Sequence, residues 1–112
     1  MDIKDPSKEY QITHPAGPVF TLKHWTLAMQ EMVDRECLEI DDKDGARWNL
    51  TRERMIKLEQ CLVGWEGLTF EGELFLFSPE NRKMLPVGII IWIVKDIDEK
   101  AGVRLAEAEK KS

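Results

Sequence analysis

The sharpest local signal in this 112-residue chain is the tetrad Ser78-Pro79-Glu80-Asn81. A serine hydroxyl can accept from the free N–H groups at a helix start, and proline's fixed φ suits the first helical position. Glu80 faces the positive end of the helix dipole. The tetrad therefore opens a helix, which runs to Met84 or Leu85 before Pro86 interrupts it.

Other glycines and prolines divide the chain upstream. Ile12, Val19, Phe20 and Leu22 flank His14-Pro15-Ala16-Gly17-Pro18. Two short β-prone runs around such a turn predict a hairpin, and the prolines forbid a helix. Thr26 is a candidate cap for a helix to about Leu38, with Leu27, Ala28, Met32, Val33 and Cys37 at helical spacing. Thr51 is a second candidate cap. Met55, Ile56, Leu58, Leu62, Val63 and Trp65 then predict a helix over Arg52–Val63, ended by Gly64 and Gly67. Leu68–Phe77 fits a short hairpin or an extended loop around Gly72. Val87–Val94 is β-branched and fits a buried strand by composition. Its continuation through Ile93, Ile97, Ala101 and Leu105 favours a helix. The expected architecture is mainly α: three to four helices and a short N-terminal β-hairpin in a single helical domain over 10–105. A loose arm (1–9) precedes it and a charged tail (106–112) follows.

Chemistry is sparse. Glu39–Gly45 imitates a calcium loop, but with Gly45 at the sixth position Ile40 and Thr51 occupy the first and twelfth, where carboxylates are required. A solvated turn is the simpler reading. His14 and His24 form no metal-ligand spacing, Cys37 and Cys61 form no CxxC, and no phosphate-binding glycine motif occurs. No catalytic residue, cofactor or metal is therefore expected. The net charge of −5 and scattered basic residues argue against nucleic acid as a partner. The longest apolar run, Val87–Val94, is too short to span a membrane, and the N-terminus lacks a signal-peptide pattern. A soluble intracellular protein is expected.

Apolar surface is the abundant resource. Four tryptophans and four phenylalanines are many for 112 residues. A domain this small has difficulty burying all of them together with Val87–Val94, so some should meet another chain.

The stretch from Arg52 to Leu85 carries a wider pattern: CLVGWEG at 61–67, FEGE at 70–73 and FSPEN at 77–81. A helix ending in a Gly-Trp pair, a glycine-bearing turn, an apolar stretch and a Ser-Pro-Glu-Asn helix resemble the tail assembly chaperones of long-tailed phages and prophages. The likeness extends over about Tyr10–Lys111. One departure is Glu71-Gly72, where family members often carry Asp-Gly. The resemblance implies a non-enzymatic late protein of the host cytoplasm that is absent from the mature virion. Such a protein binds the tape measure protein, keeps it soluble until the tail tube polymerises, self-associates, and can meet the tube protein. It implies Trp65, Phe75, Phe77, Ile89, Trp92 and Ile93 as core and contact residues, with Trp65 at a junction between two helices. The alternative is a structural virion protein of the tail or head–tail connector.

Overall fold

The computed structural model describes residues 8–43 and 45–102. The order of elements is β1 (Glu9–Thr13), β2 (Val19–Lys23), α1 (Leu27–Cys37), β3 (Leu38–Asp41), β4 (Gly45–Trp48), α2 (Leu50–Cys61), β5 (Leu62–Glu66), β6 (Thr69–Phe70), β7 (Glu73–Leu74), α3 (Pro79–Arg82) and α4 (Val87–Lys100). With 44% helix and 29% strand among the described residues, the protein is a mixed α/β fold, which corrects the mainly α expectation. The expected arm (1–9) and tail (106–112) fall almost wholly outside the described residues.

The correction turns on three segments. Gly64 does not end a helix. Instead α2 stops at Cys61 and the chain runs directly into β5, which pairs antiparallel with β2. A two-stranded hairpin is marginal alone, and β5 supplies the third strand in the order β1-β2-β5. The acidic segment around Asp41 is likewise more than a turn. Leu38–Asp41 and Gly45–Trp48 form their own hairpin, with Leu38 opposite Trp48 and Ile40 opposite Ala46. The ambiguous 68–77 segment carries a third, minimal hairpin, β6–β7.

The sheet is amphipathic. Phe20 and Leu22 are buried on one face, beside Tyr10 and Ile12 from β1. Gln11, Thr13, Thr21 and Lys23 form the other, polar face, as expected of an antiparallel sheet covered on one side. Leu62 and Trp65 are an odd number of residues apart, so regular pleating would send them to opposite faces. A bulge resolves this. Leu22 pairs with Leu62 while Thr21 pairs with Gly64, leaving Val63 extra, and both apolar side chains reach the core.

Helices α2 and α4 cover the apolar face through Leu58, Cys61, Ile93 and Ile97. Helix α1 packs on α2 through a smaller cluster of Val33, Cys37 and Ile56. Thr26 caps α1 at Met29 N. Helix α2 is capped by Asn49 rather than Thr51, with Arg52 N donating to Asn49 Oδ1 at 2.9 Å. Ser78 caps α3 through Asn81 N at 3.0 Å. Helix α3 ends at Arg82, short of the expected Met84. Arg82 itself reaches back to the carbonyls of Glu59 and Leu62, satisfying backbone groups where α2 becomes β5. Segment 87–100 is helical, not a strand, with Ile93 and Ile97 buried as the ladder predicts. Ala101 follows the helix and is exposed, and Leu105 lies outside the described residues. Among the described residues no helix is long and apolar enough to cross a membrane.

The β6–β7 turn is strained at one position. Glu71 has φ 50° and Gly72 φ 84°, the left-handed pair of a type I′ turn. Glutamate is unfavourable there and asparagine is better tolerated. Glu71→Asn is expected to raise stability by about 0.5 kcal/mol, and Glu71→Val to lower it by about 1 kcal/mol. Urea denaturation midpoints of the two variants check both.

Candidate interaction surface

Trp65 is the keystone of the C-terminal half. Its indole stacks on Phe75 at 5.6 Å between ring centroids and meets Phe77 edge-on at 5.0 Å. Phe20 approaches from β2 at 6.5 Å. The indole N–H donates to the Phe75 carbonyl at 2.7 Å. This ties residues 67–77, an arm beyond β5, to the sheet. The arm doubles back at Gly67, where φ is 83° and an added Cβ would sit 3.5 Å from Pro18 Cα. Trp65 thus sits on a strand and holds an arm, rather than standing between two helices.

Of the other expected contact residues, Ile93 is fully buried in the core. Phe75, Phe77, Ile89 and Trp92 are half-buried and pack against it. Trp92 also meets His14 edge-on at 4.7 Å, which docks the β1–β2 turn on α4. These six residues mainly assemble the domain. The apolar side chains that meet solvent are different ones; besides Leu27 and Leu50 at the starts of α1 and α2, they gather in three places.

The first is the β3–β4 hairpin. One of its faces presents Leu38, Ile40, Ala46 and Trp48, and Ile40 is 79% exposed. The second is the arm. Phe75 and Phe77 point inward to Trp65, so in extended chain their neighbours point out, and Leu74 and Leu76 are 70% and 66% exposed. The third is the exposed stripe at the start of α4, Val87 and Ile91 one turn apart, with Met84 just before the helix. One of these surfaces carries a legible signal: Leu38-Glu39-Ile40-Asp41 alternates apolar and charged residues with period two, whereas Leu74-Phe75-Leu76-Phe77 is apolar throughout.

The residues considered for chemistry take structural roles. His14 Nδ1 accepts from Ala16 N at 3.0 Å, and His24 stacks on Tyr10 at 4.6 Å. Asp41 accepts from Lys43 N within the β3–β4 turn. Among the described residues no group of three His, Cys, Asp or Glu side chains is placed to hold a metal. A shallow cleft of about 360 Å³ is lined by Glu59, Pro79, Glu80, Arg82 and Lys83.

Both thiols are buried. Burial pushes the Cys61 thiol from its ordinary 9.0 up to about 12, and Cys37 also rises because of burial. Burial and then the Asp96 carboxylate hold the Tyr10 phenol well above its ordinary value of 10.0. The raised groups make the fold alkali-sensitive. Below pH 9.0 the Cys61 thiol is neutral in both states. From 9.0 to about 12 only the unfolded chain releases the proton, so stability falls as pH rises. Tyr10 adds to the loss above its ordinary 10.0. Thermal melts across this range are expected to show the decline, and Cys61→Ala to remove the Cys61 share of the part that begins near pH 9.0, leaving the share of Cys37. The native thiols should resist alkylation at neutral pH.

No protein-family model matches this chain, nor does any curated protein or solved structure.

Proposed function

We propose that this protein is a tail assembly chaperone of a long-tailed phage, a non-enzymatic factor that binds the tape measure protein and keeps it soluble before the tail tube forms. The observation that carries the reading is where the apolar side chains lie. The core closes with Phe20, Leu22, Leu58, Leu62, Trp65, Ile93 and Ile97. Beyond it, large apolar residues stand in solvent on the β3–β4 hairpin, on the arm and at the start of α4. Separate apolar surfaces of this kind suit a client that exposes long apolar helical stripes. Modest contacts repeated over many copies hold such a client and still release it. The Gly-Trp to Ser-Pro-Glu-Asn pattern agrees with this role, since its residues cap, turn and pack.

Co-expression with the tape measure protein encoded in the same gene cluster tests the reading. The tape measure is expected in the soluble fraction with this chain and in inclusion bodies without it. Equal solubility in both cases refutes the reading. Mass spectrometry of purified virions separates it from a structural virion protein, because a chaperone is absent from the finished particle.

A further inference from the structure

The arm between β5 and α3 has a charge asymmetry. From Glu66 to Asn81 the chain carries Glu66, Glu71, Glu73 and Glu80 and no lysine or arginine. All four glutamates are exposed, and among the described residues none is in an ion pair. Within the same stretch Leu74 and Leu76 are bare, and Phe70 is half-exposed against Phe75 at 5.7 Å. The β3–β4 hairpin differs. Its Glu39, Asp41 and Asp42 share the hairpin with Lys43 and Arg47, and Arg47 lies 3.9 Å from Glu39. That surface is of mixed charge, with cations set among its acids.

Charge decides what fits the arm. A second copy meeting it face to face would bring the same carboxylates, Glu71 and Glu73, against themselves, because a two-fold interface repeats one patch. At physiological ionic strength charges still act over about 8 Å, so this repulsion is felt. A ligand of opposite sign gains where a second copy loses, and two outward leucines at strand spacing offer a ridge for an apolar stripe. We infer that the Leu74–Leu76 ridge, on an arm whose only charged residues are Glu71 and Glu73, is the docking site for a cationic amphipathic helix of a partner protein. The apolar stripe of the helix lies on the two leucines, and its flanking lysines or arginines lie beside the acidic arm. The inference rests on the chaperone reading only in making the client the source of that helix.

The purified full chain is titrated with two synthetic helices of identical leucine spacing, one flanked by lysine and one by glutamate. The lysine helix is expected to bind, with affinity falling about tenfold or more between ~50 and ~500 mM salt, and the glutamate helix is not. Leu74→Ser with Leu76→Ser should abolish binding, and Glu71→Lys with Glu73→Lys should weaken it at least ~10-fold. Circular dichroism checks that both variants fold. Leu38→Ser with Ile40→Ser, on the other hairpin, should leave binding unchanged. Equal binding of the two peptides, or indifference to the arm variants, overturns the inference. So does a dimer in light scattering that Leu74→Ser dissolves, since a second copy would then cover the ridge. Co-expression separates the two readings. If the wild-type chain does not solubilise the tape measure, the chaperone reading fails whatever the peptides do. If the wild type and the Leu74/Leu76 variant solubilise it equally, the docking site fails and the chaperone reading stands.

Discussion

Replacing Trp65 by alanine is expected to remove about 3–5 kcal/mol of stability, the range for deleting a large buried aromatic. The side chain is 8% exposed and touches Phe20, Phe75 and Phe77. Its loss therefore leaves a cavity between the sheet and the arm rather than at the margin of the core. A domain of this size has roughly 5–15 kcal/mol to lose, so the variant will melt far below the wild type or fail to fold at 37 °C. Trp65→Phe keeps most of the packing but drops the donor to the Phe75 carbonyl. That part-buried carbonyl loses its partner, a change of about 1–2 kcal/mol. Hydrogen exchange separates the two effects. In Trp65→Phe the amides of the arm should exchange faster while those of β1 and β2 stay protected. Uniform loss of protection would mean that the arm and sheet unfold as one unit.

The same residue shows why the fold was only partly legible. Leu58, Leu62 and Trp65 follow one another at intervals of four and three, which is helical spacing, and Gly64 looks like a helix stop. The spacing is shared by two structures. What selects β5 is the open edge of β2, a partner remote in sequence that local periodicity does not register. The β3–β4 hairpin was hidden differently. Its strand alternation, Leu38-Glu39-Ile40-Asp41, is plain, but the acids invite a loop reading and its apolar face covers no core residue. Segments whose ends carry their own chemistry were readable. Ser78 and Pro79 announce α3, Thr26 announces α1, and Pro15 to Pro18 announce the first hairpin. Helix α4 was legible by length and its Ile93–Ile97 step. The division of apolar residues between core and surface was the least legible, because an exposed leucine and a buried one differ in neighbours and not in sequence. The six residues expected to divide between core and contact lie in or against the core. The exposed ones, such as Leu74 and Leu76, alternate with them.

Lys57 is expected to matter almost as much as Trp65, although it is charged. It lies on α2 with its side chain 9% exposed, 3.2 Å from Glu53 on the same helix and 2.6 Å from Asp98 on α4. Its ammonium stands 5.9 Å from the centre of the Trp25 ring, and Glu53 also accepts from the Trp48 indole at 2.9 Å. One cation thus ties α2 to α4 and, through Glu53, to the base of the β3–β4 hairpin. Removing one partner of a buried pair usually lowers stability by about 3–5 kcal/mol, because an uncompensated charge is left behind. Asp98 is one-third exposed, so water recovers part of that loss. Lys57→Ala should therefore lower stability by about 2–3 kcal/mol. Lys57→Met keeps the aliphatic stem and isolates the charge contribution, so its loss should be smaller. Adding Asp98→Asn to Lys57→Met should restore part of the stability, since the stranded carboxylate is then gone. A double-mutant cycle read by urea denaturation should give a coupling of about 1–2 kcal/mol between positions 57 and 98. If instead the two substitutions add without coupling, the ammonium is solvated independently of Asp98, and apolar packing alone holds α4 on α2.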